Sequence, residues 1–269
     1  MKRLLAALLL LAVAPASAAE SRWIKEEGVT FRLVSREDGV GERSELLFGL
    51  QVRPERGFKF FWRAPGQYGL RPSVEFPESA NVASRELRWP TPRRLVLVRE
   101  TGDSAIGYDR ETVLPIRVRP ERANAPLELK LVLEYGICGE FCTGGQVALA
   151  LTLPATGPDQ GKSTKLLEDH LTRVPASLAP GTARVQRAGD TLVVEIAGRT
   201  LLKPDLFVDA GPGRNYGPAR VSLAADRRSA VFRLPLETTT PEAPASLDQV
   251  SLLLLDGNRA YETIALVDP

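Results

Sequence analysis

The chain has 269 residues, of which 43% are hydrophobic, and its 35 basic residues nearly balance its 33 acidic ones. This balance argues against nucleic acid as a partner, because binding to a phosphate backbone requires an excess of positive charge. The only histidine is His170 and the only methionine is Met1. Neither a multi-histidine zinc site nor a methionine-rich copper site can be built from one chain, so we expect no resident metal and no cofactor.

The first 19 residues have the features of a secretory signal peptide. Lys2 and Arg3 form a short basic start, residues 4–13 are apolar, and residues 16–18 form a small-residue cleavage site. No later stretch approaches the ~18 apolar residues that a membrane helix needs. We therefore expect an exported protein that is soluble in the periplasm and has no membrane span once the signal is removed.

The chain continues as short segments of alternating polarity, separated by turns rich in glycine and proline. An apolar residue at every second position predicts a strand with one buried face. The strands expected in the first part lie at residues 23–34, 43–52, 82–89, 94–99, 112–118, 127–133 and 147–153. Phe60 and Trp62, in the densest aromatic cluster, are expected in the core. This strand rhythm is typical of a β-sandwich, and we predict one over residues 20–155.

Both cysteines lie between the last two of these strands. Cys138 and Cys142 flank Gly139, Glu140 and Phe141, within a glycine-rich segment that the alternation on either side predicts to be a hairpin connection. The two cysteines would then face each other across the turn, where a disulfide forms easily. With only two cysteines the fold does not depend on a disulfide framework, so the pair is a local feature.

The composition changes after the strand predicted at residues 147–153. Residues 155–161 are rich in glycine and proline, and residues 163–174 then have apolar side chains at helical spacing, with Ser163 available as an N-cap. We predict a linker over residues 156–182 that contains this short helix.

The strand rhythm resumes at residue 183. The expected strands lie at residues 191–196, 206–208, 219–223, 230–234, 250–255 and 261–267. They predict a second, smaller β-sandwich over residues 183–269, for which we expect packing or partner contact and no chemistry.

The spacing of the cysteines leaves three interpretations open. A static bridge would pin the hairpin, although a loop of about five residues gives only ~2 kcal/mol in the chain-entropy model. Thiol-disulfide exchange would begin with attack by a partner's thiolate. No Lys, Arg or His lies between the cysteines to stabilise a thiolate and Glu140 disfavours one, which favours a pair that passes electrons on over a strong oxidant. The third interpretation is Cu(I) held by two soft thiolates.

A series of aromatic, glycine and proline motifs runs through the first predicted sandwich. It comprises Gly57, Phe61-Trp62, Pro65-Gly66, Gly69 and Pro72, then Trp89-Pro90 and Pro92, then Gly107-Tyr108 and Leu114-Pro115, and finally Tyr135-Gly136-Ile137-Cys138 with Cys142. In this combination the chain resembles the periplasmic N-terminal domain of the thiol:disulfide interchange protein DsbD. The closer likeness is to the branch found in the suppressor of copper sensitivity protein ScsB, in which the second β-domain also has a counterpart.

The resemblance implies an all-β chain of two immunoglobulin-like β-sandwich domains joined by the helix-containing linker. It also implies a thiol-disulfide oxidoreductase of the periplasm, with a link to copper tolerance. Cys138 and Cys142 would be the redox pair, receiving electrons from a membrane-embedded thiol donor and passing them to thioredoxin-fold periplasmic proteins. Residues 102–109 would correspond to the cap loop that shields the pair in that family, with Tyr108 as the shielding aromatic and Asp103 or Asp109 as an acid near the sulfurs.

Three features differ from the family pattern. The DsbD domain has a wider cysteine spacing, and residues 143–145 are Thr-Gly-Gly where a proline commonly follows the second cysteine. The chain also contains neither the membrane relay nor the thioredoxin-like domain, so we expect any relay to act in trans. The alternatives are a non-enzymatic binding module with a static disulfide, or a Cu(I)-handling protein that uses the two thiolates.

Overall fold

The computed structural model describes residues 19–98, 102–241, 243–244 and 246–268. The predicted signal peptide lies outside the described residues except for Ala19. Within them the chain forms twenty strands and one helix, α1, at Thr164–Leu171. Before the helix the strands are β1 (Ile24–Glu26), β2 (Val29–Ser35), β3 (Leu46–Pro54), β4 (Lys59–Phe61), β5 (Ser73–Glu75), β6 (Ser84–Leu87), β7 (Arg93–Val96), β8 (Ser104–Tyr108), β9 (Thr112–Arg119), β10 (Leu127–Cys138) and β11 (Cys142–Leu153). After it they are β12 (Ala176–Ser177), β13 (Ala183–Ala188), β14 (Thr191–Ala197), β15 (Pro204–Asp209), β16 (Arg214–Tyr216), β17 (Arg220–Leu223), β18 (Ser229–Thr239), β19 (Gln249–Asp256) and β20 (Arg259–Asp268).

The first eleven strands form two sheets that pack face to face. One sheet has the order β1-β2-β3-β9-β6, and the other has the order β11-β10-β4-β8-β7, with β5 also paired to β10. Alternate residues of β10, including Leu129 and Leu131, meet Phe31 of β2 and Phe48 of β3 in one buried cluster. Burial of this apolar surface is the main favourable term that holds the two sheets together. The predicted all-β fold is confirmed.

The segment predicted as a loop at residues 102–109 is largely strand β8, which pairs with β7 in a hairpin. Its large side chains, Ile106 and Tyr108, join the core, whereas the small residues Ala105 and Gly107 take the opposite face. A Cβ on Gly107 would collide with the carbonyl oxygen of Phe60 on the neighbouring strand. The sequence prediction was wrong here because small residues and acids concealed the period-two pattern.

The predicted linker helix is present as α1 and packs against the first sandwich. Leu167 is buried with Val34, Leu47 and Val113. The Ser163 hydroxyl donates to a carboxylate oxygen of Glu20 at 2.6 Å instead of capping the helix. Among the described residues, no helix is long and apolar enough to cross a membrane.

His170, the single histidine, has structural contacts on this helix. It is buried, and its Nδ1 lies 2.8 Å from the carbonyl oxygen of Leu166. Arg173 contacts the other ring nitrogen. Burial lowers the pKa of His170, which keeps the ring neutral at pH 7.

The strands after the helix form a second sandwich. Their order is β15-β19-β20-β13-β14-β18-β16, with β12 paired to β20 and β17 paired to β18. Leu206 and Leu254, near one end of this path, share a buried cluster with Leu192 and Phe232 from the other end. The sheet must therefore curl so that its two ends face each other and bury these residues together.

The second sandwich packs directly on the first. Phe207 of β15 enters the first core, with its ring centre 6.4 Å from that of Trp62. Arg63, the next residue, donates to Asp209 at 3.2 Å and also to Glu262. The guanidinium of Arg63 therefore ties two strands of the second sandwich to the segment that follows β4.

Candidate redox site

The cysteine pair closes the hairpin between the two longest strands. The register of β10 and β11 runs from Leu127 opposite Leu153 to Cys138 opposite Cys142, and the two cysteines are joined by a disulfide. Their Cα atoms are 4.0 Å apart. Because direct neighbours on antiparallel strands place their side chains on the same face, the pairing brings the two sulfurs together. The prediction that the cysteines face each other across a hairpin is confirmed.

The two cysteines differ in exposure because their strands differ in position. Cys138 ends β10, which is paired on both sides, and it is only 4% exposed. Cys142 begins β11, which ends the sheet, and it is exposed. Phe61 and Ala105 pack with Cys138 in a small buried cluster, and Leu97 covers the cluster from outside. An incoming thiol therefore has access to Cys142 and not to Cys138.

The turn between the cysteines is held against an aromatic ring. A Cβ on Gly139 would lie 2.7 Å from the ring of Phe58, so only glycine permits this approach. The neighbouring Phe141 is 77% exposed at the tip of the hairpin. The turn thus has one packed side and one apolar side chain in solvent.

Tyr108 does not shield the disulfide. It is buried in the first core, where its hydroxyl donates to the carbonyl of Pro90 at 2.6 Å. The register gives the reason: Phe60 pairs with both Tyr108 and Ile137, so these three residues share one face of the sheet. Cys138 follows Ile137 and takes the opposite face. The assignment of Tyr108 as the shielding aromatic was therefore wrong.

The two predicted acids lie at opposite ends of the β7–β8 hairpin. Asp109 is at the open end, where it pairs with Arg93. Asp103 is at the turn, and its carbonyl accepts a hydrogen bond from the Leu97 backbone at 2.8 Å. Ala105 shares a buried cluster with Cys138, and Leu97 packs against that cluster, so these two residues of the hairpin cover the buried cysteine.

Tyr68, in the segment between β4 and β5, contacts the turn of the β7–β8 hairpin. Its hydroxyl is hydrogen-bonded to the Asp103 carboxylate. This hydrogen bond, and secondly the negative charge of the carboxylate, raise the pKa of Tyr68. The neighbouring Leu70 lies close to Gly136 of β10. The contact between Tyr68 and Asp103 therefore joins two segments that flank the cysteine hairpin.

Removing the Tyr68 hydroxyl should loosen this cover. For Tyr68→Phe we expect dithiothreitol to reduce the disulfide about two- to fivefold faster, because one hydrogen bond on the hairpin is lost. A raised tyrosine pKa means that the contact is complete below pH ~10 and is lost as the pH rises through the raised value. Reduction rates at neutral pH measure the effect, with Tyr216→Phe as the control, and equal rates for the three proteins would contradict it.

Lys59 is a functional candidate that the sequence did not reveal. It lies directly opposite Cys138 on β4, on the same face of the sheet. Direct neighbours of this kind have Cβ atoms about 4.5–5.5 Å apart. The positive charge of Lys59 can therefore stabilise a thiolate at Cys138, a role that no residue between the two cysteines supplies.

Neutralising Lys59 should slow opening of the disulfide. For Lys59→Gln we expect reduction by dithiothreitol to fall about two- to fivefold at low salt, and less at high salt, since the lysine is partly exposed and its charge is screened. Lys130→Gln, near the other end of β10, is the matched control. A rate that does not change for Lys59→Gln at low salt would remove Lys59 from the site.

The part of the chain before α1 is thus a β-sandwich whose disulfide closes a hairpin at the edge of a sheet. Residues 32–154 match the family model described as "Thiol:disulfide interchange protein DsbD, N-terminal". Residues 173–269 match a domain of unknown function, DUF8393. The predicted resemblance to the DsbD N-terminal domain is confirmed.

Solved structures add a likeness of fold over almost the whole chain. The N-terminal periplasmic domain of ScsB from Proteus mirabilis has a TM-score of 0.71 at 18% identity, covering 93% of this chain and 99% of that one. The MSCRAMM ACE of Enterococcus faecalis has a TM-score of only 0.20 at 6% identity, covering 87% of this chain and 93% of that one. No curated protein matches the chain.

Proposed function

We propose that this chain is a periplasmic electron carrier that passes electrons through Cys138 and Cys142, from a membrane-embedded thiol donor to thioredoxin-fold oxidoreductases. The observation that carries the proposal is the unequal exposure of the two cysteines on one hairpin. A buried sulfur joined to an exposed one gives a single point of attack and a protected leaving group. The family match supports the same chemistry.

The proposed cycle starts from the disulfide. A donor thiolate attacks Sγ of Cys142, a mixed disulfide forms, and Sγ of Cys138 leaves as a thiolate that Lys59 stabilises. A second donor thiol then attacks the donor sulfur of the mixed disulfide, which releases an oxidised donor and leaves both cysteines of this chain reduced. Two electrons have moved, and the two cysteines take up protons according to the pH.

The reduced pair then passes its electrons on by the reverse chemistry. The Cys142 thiolate attacks the disulfide of a client, and Cys138 resolves the mixed disulfide, which restores the Cys138–Cys142 bridge and leaves the client with two thiols. In this scheme residues 20–155 form the redox domain, residues 156–182 the linker and residues 183–269 a second domain that packs on it. The signal peptide at residues 1–19 delivers the chain to the periplasm, and the donor acts in trans.

The proposal is tested by mixing the chain, first reduced with dithiothreitol and freed of it, with an oxidised thioredoxin-fold protein and trapping free thiols by alkylation over time. We expect two thiols to disappear from this chain as two appear on the other protein. Dithiothreitol serves as the positive control for reduction. A chain that dithiothreitol reduces, but that exchanges with no thioredoxin-fold protein over hours, would contradict the proposal.

A further inference from the structure

Strand β11 differs from the other strands that end the sheets. It is twelve residues long, begins at Cys142 and contains neither a charged residue nor a proline. The remaining strands that end a sheet each carry at least one charged side chain. These strands are β1, β6, β7, β15 and β16. Charged residues on edge strands prevent unwanted pairing with other chains, so their absence from β11 leaves that edge open to pairing.

Among the described residues, no strand pairs with the outer edge of β11. In the described part of the chain β11 pairs with β10 alone, so every second residue directs its backbone N–H and C=O away from the sheet. An open groove of about 450 Å³ lies between residues 148–152 and the segment at residues 20–24. Small exposed side chains, Ala148 and Ala150, leave its floor unobstructed.

We propose that this β11 edge binds an extended segment of the thiol protein that reacts with the disulfide, by adding it as a further strand. The proposal rests on the proposed function. The edge leads directly to the reacting disulfide, because a strand paired antiparallel to β11 ends beside Cys142, the exposed cysteine. Main-chain hydrogen bonds would hold the segment with little dependence on its sequence, provided that it is uncharged and extended.

Strand addition would place the reacting thiol of the partner beside Cys142. A cysteine at the C-terminal end of the added strand would lie against Cys142 at the start of β11. Its thiolate forms a bond with Sγ of Cys142, and Sγ of Cys138 leaves as the thiolate, so one thiolate is consumed and one is released. Holding the two sulfurs near each other raises the rate without any further catalytic group.

The test uses a synthetic peptide of about eight alternating threonine and valine residues, the length of one strand, followed by glycine and a C-terminal cysteine. Its matched partner has proline at every second position, which removes the N–H groups needed for pairing. We expect the first peptide to form the mixed disulfide with the native chain roughly tenfold faster than the second, since several main-chain hydrogen bonds are gained.

Lysines on β11 should abolish this difference. In the double variant Ala148→Lys with Ala150→Lys, both side chains point to solvent, so the fold is kept while the edge is blocked. The ratio of the two peptide rates should fall to near one. The control is the double variant Ile264→Lys with Leu266→Lys, which adds the same charge at the same spacing on β20. These two residues are 67% and 74% exposed, and the ratio of the two peptide rates should stay unchanged.

The outcomes separate this proposal from the proposed function. Equal rates for the two peptides on the native chain, with normal reduction by dithiothreitol, would overturn strand addition alone. A disulfide that resists dithiothreitol and both peptides would overturn both proposals. Self-association of the native chain that the β11 lysines abolish would also overturn strand addition, because the edge would then belong to a second copy.

Discussion

Replacing Cys138 by alanine should leave a thiol that reacts readily, whereas replacing Cys142 should leave one that hardly reacts. Cys142 is exposed at the sheet edge, and Cys138 is 4% exposed beneath Phe61 and Leu97. We expect glutathione disulfide to form a mixed disulfide with Cys138→Ala at least about tenfold faster than with Cys142→Ala, since attack requires access to the sulfur. The gain in mass measures each rate.

The same comparison in denaturant provides the control. Unfolded variants expose both sulfurs, so the two rates should converge in concentrated urea. Equal rates in the native state, or faster reaction of Cys142→Ala, would contradict the assignment of Cys142 as the attacked sulfur.

Replacing Phe61 by alanine should both destabilise the chain and open the disulfide. Phe61 is fully buried against Cys138 and Ala105, and loss of a buried phenylalanine costs about 3–5 kcal/mol of unfolding free energy. The cavity would also uncover the inner side of the disulfide. We expect reduction by dithiothreitol to accelerate roughly tenfold, because Cys138 becomes a second point of attack beside Cys142, which is already exposed.

Phe60→Ala separates these two effects. Phe60 is equally buried, but it points into the first core, where its ring centre lies 6.2 Å from that of Tyr108. This variant should lose similar stability, measured by urea unfolding, and keep the native reduction rate under conditions where both variants remain folded. Equal acceleration in both variants would mean that global destabilisation, and not local cover, sets the rate.

The cysteine hairpin could be predicted from sequence because its information is local. Alternating leucines lead into Cys138, a second alternating run leads away from Cys142, and three residues join them. Those features fix a hairpin and its register without help from the rest of the chain. The order of motifs around the pair then supplied the resemblance to the DsbD N-terminal domain.

The surroundings of the pair could not be predicted, because they depend on pairing between distant strands. The face taken by Tyr108 is set by its partner Phe60, and the placement of Lys59 opposite Cys138 joins residues far apart in sequence. Period-two patterns define two faces of a strand but not which of them meets the disulfide. The docking of Phe207 on Trp62 is a contact of the same long-range kind.

A working redox couple and a structural bridge differ in midpoint potential, so this potential decides which of the two the Cys138–Cys142 disulfide is. The chain is equilibrated in glutathione or dithiothreitol buffers of graded potential, and the pair is followed by thiol alkylation and mass. We predict a midpoint between about −180 and −270 mV, the range of exchange proteins. A midpoint below about −300 mV would identify a structural bridge and contradict the redox function.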